Sequence, residues 1–310
     1  MNSRMYPHAQ AGTPNDRARR LTVLAFAIAL VAILAIPFLT AEHADAASKK
    51  RIVALTAFSA NTLANVGARP VAIGQMAIGN KGMSRRLRRV KQLPLSHPNG
   101  PNMEQIATID PDVVLTAQAW RKGSKTMRDL AITVREMDAK TANQVPSRIR
   151  SIGRAYGNKR LTDKLVKKVK REIKYAKTRR PIKKRPTVLM VLGVGRTPYV
   201  FVSNSWGGSI VKAAGGRLLG GELRDSGGFV KVSDEYVIQK DPDVIIAVPH
   251  GNASDIPSIS DHLKSNPAWS TTKAVKMGRV YVTLDDAFLQ PNIDVGHSIK
   301  RVRTQFLKNW

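Results

Sequence analysis

Few side chains in this 310-residue chain have the type and placement to do chemistry. There is no cysteine, so thiolate nucleophiles, thiolate metal sites, disulfides and a lipid-modified N-terminal cysteine are all excluded. Among the six histidines, His250 is placed most distinctively, in Pro249-His250-Gly251 directly after the apolar run Val244–Val248. Open α/β folds present ligand-binding groups at the C-terminal ends of strands, and a neutral imidazole there can bind a metal. A loop histidine without a ligand fits the same residues, because no second ligating residue stands at motif spacing. Gly193-Val-Gly195 follows another strand, but Pro198 replaces the third glycine and no helix begins there, which excludes a dinucleotide loop. No catalytic site, catalytic cofactor or enzymatic activity is indicated.

Two carboxylates share a repeated setting. Glu104-Gln-Ile-Ala-Thr-Ile-Asp110-Pro111-Asp112-Val-Val-Leu recurs as Glu235-Tyr-Val-Ile-Gln-Lys-Asp241-Pro242-Asp243-Val-Ile-Ile, and each glutamate lies six residues before its Asp-Pro-Asp. Apolar residues at helical spacing precede each Asp-Pro, proline disfavours helix in the residue before it, and a β-branched run then begins a strand. Each half therefore carries the same helix, turn and strand. Two α/β lobes with a ligand cleft between them are the simplest architecture for such a duplication. Asn102 and Ser233 suit the N-caps of these helices, which puts Glu104 and Glu235 in first turns where their charge favours the positive end of the helix dipole.

The remaining elements fit around this repeat. Strands are predicted at 51–55, 70–74, 113–116 and 132–135, and helices at 59–66 and 125–130, giving an N-terminal lobe over 51–147. From Arg148 the pattern is helical, and Leu161, Leu165, Val166, Val169, Ile173 and Ala176 form one apolar stripe. One long connecting helix is predicted over 148–180, ended by Pro181. A C-terminal lobe over 186–310 opens with Thr187–Gly193, a strand of the kind buried on both faces. It continues with β-structure at 199–202, a helix at 208–214, the repeated unit at 234–248, a strand at 279–283 and a closing helix at 294–307.

Residues 1–46 stand apart from this fold. Arg17, Arg19 and Arg20 precede an apolar run from Leu21 to Leu39 and then Ala44-Asp45-Ala46, which reads as an export signal cut before Ala47, an uncleaved anchor being the alternative. Net charge is +29, so anionic membrane and cell-wall surfaces will attract the protein. From Lys159 to Arg185, 14 of 27 residues are basic, yet aromatic residues do not interleave with them as base-stacking platforms require. The basic helix face is accordingly read as solvated, with no specific nucleic-acid partner.

Arg51-Ile-Val-Ala-Leu, Pro101-Asn-Met-Glu104 with its Asp-Pro-Asp, the basic connecting helix and the second glutamate together resemble the class III substrate-binding proteins of ABC importers, which carry ferric siderophores, heme or cobalamin. The resemblance runs from about Arg51 to the C-terminus. The second half resembles the heme-receptor lipoproteins of Gram-positive iron uptake, through Val191-Leu-Gly-Val, Asn204-Ser-Trp-Gly-Gly, Ala213-Ala-Gly-Gly, Pro249-His250-Gly251, Asn266-Pro-Ala-Trp269 and Ala274-Val-Lys-Met-Gly-Arg-Val-Tyr281.

That resemblance implies two α/β lobes joined by one long helix, limited hinge motion, and His250 as an axial ligand to heme iron. The position of the opposite ligand, a methionine in heme receptors, holds Asn99. His97 is the preferred substitute, and Met103 is expected to face the core of its helix. The alternative is five-coordinate iron on His250 alone. Arg85 and Arg86 match a basic rim suited to propionates, with a solvated basic turn as the other reading, and Tyr199 and Trp206 are pocket aromatics or packing residues. Glu104 and Glu235 match the pair that docks on permease arginines. The expected function is extracytoplasmic delivery of an iron-containing ligand, heme first, by a monomer to a permease and its ATPase. Ferric siderophore or cobalamin is the alternative within the same function; a polyanion-binding envelope protein is a different class, and a chelatase, an enzyme type in which this fold also occurs, is a third.

Overall fold

The computed structural model describes residues 50–75, 83–97, 99–178, 182–224, 227–284 and 286–310. The export segment 1–46 and Pro181 lie outside them. The N-terminal lobe runs β1 (Ile52–Ala54), α1 (Ala57–Asn65), β2 (Ala72–Gly74), β3 (Lys91–Leu93), a small hairpin of β4 (Leu95–Ser96) and β5 (Gly100–Pro101), α2 (Met103–Ile109), β6 (Val113–Thr116), α3 (Arg121–Asp129) and β7 (Val134–Glu136). Its five-stranded sheet is parallel throughout, in the order β3-β2-β1-β6-β7. Alternation along β1 explains this burial: Ile52 and Ala54 enter one apolar cluster, Val53 and Leu55 the other.

Two helices, α4 (Val145–Tyr156) and α5 (Lys159–Thr178), lead to the second lobe. That lobe comprises β8 (Thr187–Val194), β9 (Thr197–Phe201), α6 (Trp206–Ala213), β10 (Arg217–Leu218), β11 (Phe229–Lys231), α7 (Asp234–Lys240), β12 (Val244–His250), α8 (Ile256–Ser265), α9 (Lys273–Lys276), β13 (Val280–Val282) and α10 (Val295–Arg301). Its sheet has the order β11-β9-β8-β12-β13, with β10 beside β8 and only β9 antiparallel to its neighbours. The closing helix is regular only to Arg301 and then widens to a π turn over Val302–Phe306, where the Leu307 N–H reaches the Val302 carbonyl at 2.9 Å.

The long connecting helix begins at Lys159 instead of near Arg148. Gly157 is extended between α4 and α5, and a β-carbon on it would come within 2.5 Å of the Val66 side chain, so the chain breaks there to pass α1. Asn158 completes the break: its N–H donates to the Val66 carbonyl at 2.8 Å and its side chain accepts the Leu161 N–H at 3.1 Å. The 20 residues of α5 keep their predicted stripe, with Leu165, Val166, Val169, Ile173 and Ala176 buried.

The repeated Asp-Pro-Asp proves to be a staple. Asp110 and Asp241 end α2 and α7 in left-handed conformation, at φ 47° and 39°. Two residues on, the Asp112 carboxylate accepts the Arg51 N–H at 2.6 Å, and the Asp243 carboxylate accepts both the N–H and the hydroxyl of Thr187 at 2.8 Å. Each lobe thus ties its repeated helix to the start of its own first central strand. As Arg51 also donates to the carbonyls of Ile109 and Asp110, the C-terminus of α2 lies at the N-terminal ends of the strands. Glu104, at the start of α2, therefore points toward their C-terminal ends.

One apolar cluster passes from Ile52, Phe58 and Leu115 through Ile149, Val166 and Ile173 to Val188, Ile246 and Ile299, so a single core serves both lobes. Gly296 permits a close part of that contact, because a β-carbon there would lie 2.8 Å from Cβ of Glu172 on α5. A core continuous through the hinge resists large rotation of one lobe against the other.

Candidate functional site

His250 is the last residue of β12 and pairs in register with Val194 at the end of β8. The strand before it is buried from Val244 to Pro249, while His250 itself emerges at the strand end. Its pKa is lowered from the ordinary 6.5, first by desolvation and then by the charge of His97. Both effects favour the neutral imidazole, the form that binds a metal. The second acts between the lobes, His97 belonging to the N-terminal one and His250 to the C-terminal one.

His97 stands between β4 and β5, exposed, with its ring edge-on to Trp120 at a centroid separation of 5.7 Å. Trp120 closes a 3-10 turn at the C-terminal end of β6 and is half-buried against the core formed by Val53, Leu93 and Met127. The seat of this hairpin is Gly123 on α3, where a β-carbon would lie 2.8 Å from the Asn99 carbonyl carbon and nearer still to its oxygen. Asn99 is exposed, and Met103 packs against the same core as Leu95 and Trp120. Of the two residues considered opposite His250, Met103 is packed on the core while His97 is exposed. Trp120 and Gly123 were missed from sequence, since neither belongs to a motif.

A cation was also missed. β8 and β9 turn at Gly195 and Arg196, the two residues that follow the Val194 paired with His250, and both turn residues are exposed. Gly195 holds φ +58° with no heavy atom near its missing β-carbon. Of the glycines rejected as a phosphate loop, Gly193 is a strand residue paired with Pro198, and Gly195 forms with Arg196 the hairpin tip just past the strand partner of His250.

The other expected ligand contacts lie elsewhere. Arg86 donates to the Ala64 carbonyl at 3.0 Å, in the last turn of α1. As α1 runs back from the C-terminal end of β1, Arg86 and its neighbour Arg85 sit at the far end of the sheet from the His97 hairpin. Trp206 is 6% exposed, opens α6 and donates its indole N–H to the Ala287 carbonyl at 2.8 Å, which makes it a packing residue. Tyr199 is half-buried against the main core on β9.

Glu104 and Glu235 are exposed at equivalent places, each the second residue of a seven-residue helix. Asn102 accepts the N–H of Glu104 at 2.8 Å and of Gln105 at 3.1 Å, while Ser233 accepts that of Tyr236 at 3.3 Å. Hydrogen bonding around the Ser233 cap lowers the pKa of Glu235. The start of α7 is anchored by Asp234, whose carboxylate accepts the Trp269 indole N–H at 2.6 Å and the Asn266 amide at 3.0 Å.

Residues 52–287 match the family model described as periplasmic binding protein. The chain belongs to the periplasmic binding protein family. Within it, the sequence is similar to the high-affinity heme uptake system protein IsdE of Staphylococcus aureus, 25% identical over 71% of this chain and 77% of that one. It is similar also to a cobalamin-binding protein of Halobacterium salinarum, 24% identical over 75% of this chain and 64% of that one. The fold matches an ABC transporter substrate-binding protein of Listeria monocytogenes with a TM-score of 0.74 at 24% identity, over 84% of this chain and all of the other. It matches IsdE complexed with heme with a TM-score of 0.71 at 23% identity, over 84% and 99% of the two chains.

This periplasmic binding protein is thus a class III substrate-binding protein of the ABC-importer type. One further group at its interlobe region escaped sequence reading. Asp138 follows β7 and is nine-tenths buried; its Oδ1 accepts the hydroxyls of Thr56 at 2.7 Å and Ser59 at 2.8 Å at the start of α1. Burial raises its pKa to about 7 against the lowering effect of those hydroxyls and of Arg148. Nearby in sequence, the Ala142 N–H crosses to the Ser209 hydroxyl of the other lobe at 2.9 Å.

Proposed function

We propose that this substrate-binding protein carries heme, with His250 as one axial ligand of the iron and His97 as the other. The observation that supports this reading is the imidazole at the end of β12, held toward its neutral state by burial and by the charge of His97 on the other lobe. Likeness in sequence to a heme uptake protein favours the same ligand. Trp120 would back the His97 ring against the porphyrin, and Arg196 would meet a propionate through a charge-assisted hydrogen bond. Arg85 and Arg86 have no place in this account. Cobalamin is the second reading, favoured by the likeness to a cobalamin-binding protein.

Residues 51–147 and 186–310 act as the two lobes in this reading, and residues 1–46 direct export to the outer side of the cytoplasmic membrane. Without cysteine, there is no lipid-modified cysteine to hold it there. Glu104 and Glu235 would set the orientation of the liganded monomer on arginines of the permease, since exposed ion pairs contribute register more than affinity. An ATPase then drives transfer. Equilibrium dialysis of the purified protein against hemin, a ferric hydroxamate and cyanocobalamin tests the ligand. Retention of one equivalent of hemin, with the others passing through, is expected; retention of either competitor alone would overturn the reading.

A further inference from the structure

A second binding surface lies at the far end of the N-terminal lobe. A groove of about 510 Å³ runs between the end of α1 and the 3-10 turn at Arg85–Leu87, and Arg69, Arg85, Arg86, Arg88 and Arg89 line it over a small apolar floor. Arg86 is spent on the Ala64 carbonyl. The other four guanidiniums are exposed, and among the described residues none of them makes an ion pair or a side-chain hydrogen bond. A neighbouring groove on the first turns of α5 differs in this respect, because Asp163 lines it and pairs with Lys159 at 2.9 Å. Concentrated, uncompensated arginine in a concave surface is costly to hold in isolation and is matched by phosphate, whose oxygens accept the paired N–H groups of a guanidinium.

We infer that this groove docks the protein on a linear phosphodiester polymer of the cell envelope. The shape favours a single strand, since a flat bilayer surface cannot enter a groove. No aromatic side chain lines it, so the stacking platforms that single-stranded nucleic acids use are missing among the described residues. Orientation separates it from the membrane: Ala64 and Arg86 lie at the N-terminal ends of the strands, whereas Glu104 points toward their C-terminal ends. If Glu104 faces the permease, which rests on the function proposed above, the groove faces away from the membrane that holds it. The protein would then wait in the envelope on the polymer with its ligand cleft and docking glutamates free.

The test needs neither heme nor permease. Binding of fluorescently labelled poly(glycerol phosphate) to the purified protein is followed by anisotropy over a range of salt. A variant with Arg69→Gln, Arg85→Gln, Arg88→Gln and Arg89→Gln is compared with one that loses the same charge from α5 through Lys164→Gln, Lys167→Gln, Lys170→Gln and Lys174→Gln. The groove variant should lose about tenfold or more in affinity, its dependence of log K on log salt should fall by about 3, and the α5 variant should change about twofold or less. Equal losses in the two variants would overturn the inference, since net charge alone would then account for binding. Undiminished polymer binding by the groove variant would overturn it also, as would a loss confined to phosphatidylglycerol vesicles, which would make the groove a lipid site.

Discussion

Substitution of Gly123 by alanine tests whether the His97 hairpin is held in place by its seat on α3. In an exposed helix the change would stabilise by about 1 kcal/mol, because glycine is the poorer helix former. Here the new methyl group would lie 2.8 Å from the Asn99 carbonyl carbon and closer to the oxygen, so the carbonyl must retreat by roughly 1 Å. Overpacking of this kind costs about 1–3 kcal/mol, which exceeds the helix gain and should lower the melting temperature by a few degrees. The larger consequence is for ligand binding. His97 lies two residues from Asn99, and metal–ligand distances tolerate only about 0.2 Å, so a displaced hairpin cannot keep His97 on the iron. Gly123→Ala bound to hemin should therefore show the spectrum of His97→Ala, with the Soret band of five-coordinate iron. A wild-type spectrum together with unchanged stability would refute both the seat and the role of His97.

Protonation of His250 should set the acid limit of ligand binding. Its folded pKa lies below 6.5, so affinity should be level above about pH 6.5 and fall only as pH drops through the lowered value, a dependence that His250→Ala should lack in a hemin titration. Asp138 has the opposite sign. With its pKa raised to about 7, the native state keeps a proton that the unfolded state has lost between about pH 4 and 7, so stability declines as pH rises through that window and levels above it. Asp138→Asn retains an oxygen for Thr56 and Ser59 without the charge; urea denaturation should show the decline abolished and a gain on the order of a few kcal/mol at pH 8. Glu104→Arg with Glu235→Arg should abolish uptake by whole cells while leaving ligand affinity within about twofold, as both side chains are exposed.

The duplicated architecture was legible because it is written locally. Asp-Pro-Asp after an amphipathic helix fixes a left-handed cap and a strand start, and the chain repeats that statement in both halves at Asp110 and Asp241. N-caps at Asn102 and Ser233 were legible for the same reason. The break at Gly157 was not, since the need for it comes from Val66, which lies some ninety positions earlier in the chain. A similar limit applies to the site. His250 was visible at the end of an apolar strand, but Arg196 comes to the same end of the sheet only through the pairing of β12 with β8, and Trp120 meets His97 only because α3 folds under the hairpin. The expectation for Arg85 and Arg86 rests on the likeness to a basic rim, but their turn precedes β3 whereas His97 follows it, so the length of that strand separates them.

The central claim is a heme carried between imidazoles of two lobes, and a hemin titration of the purified protein followed in the Soret region tests it most directly, run in parallel with His250→Ala and in enough salt to suppress adsorption to a strongly basic surface. Saturation at one equivalent with a six-coordinate spectrum, lost or converted to a different coordination in the variant, is the predicted result. A featureless or nonstoichiometric titration, the same for both proteins, would contradict the account and return the ligand to the siderophores and cobalamin.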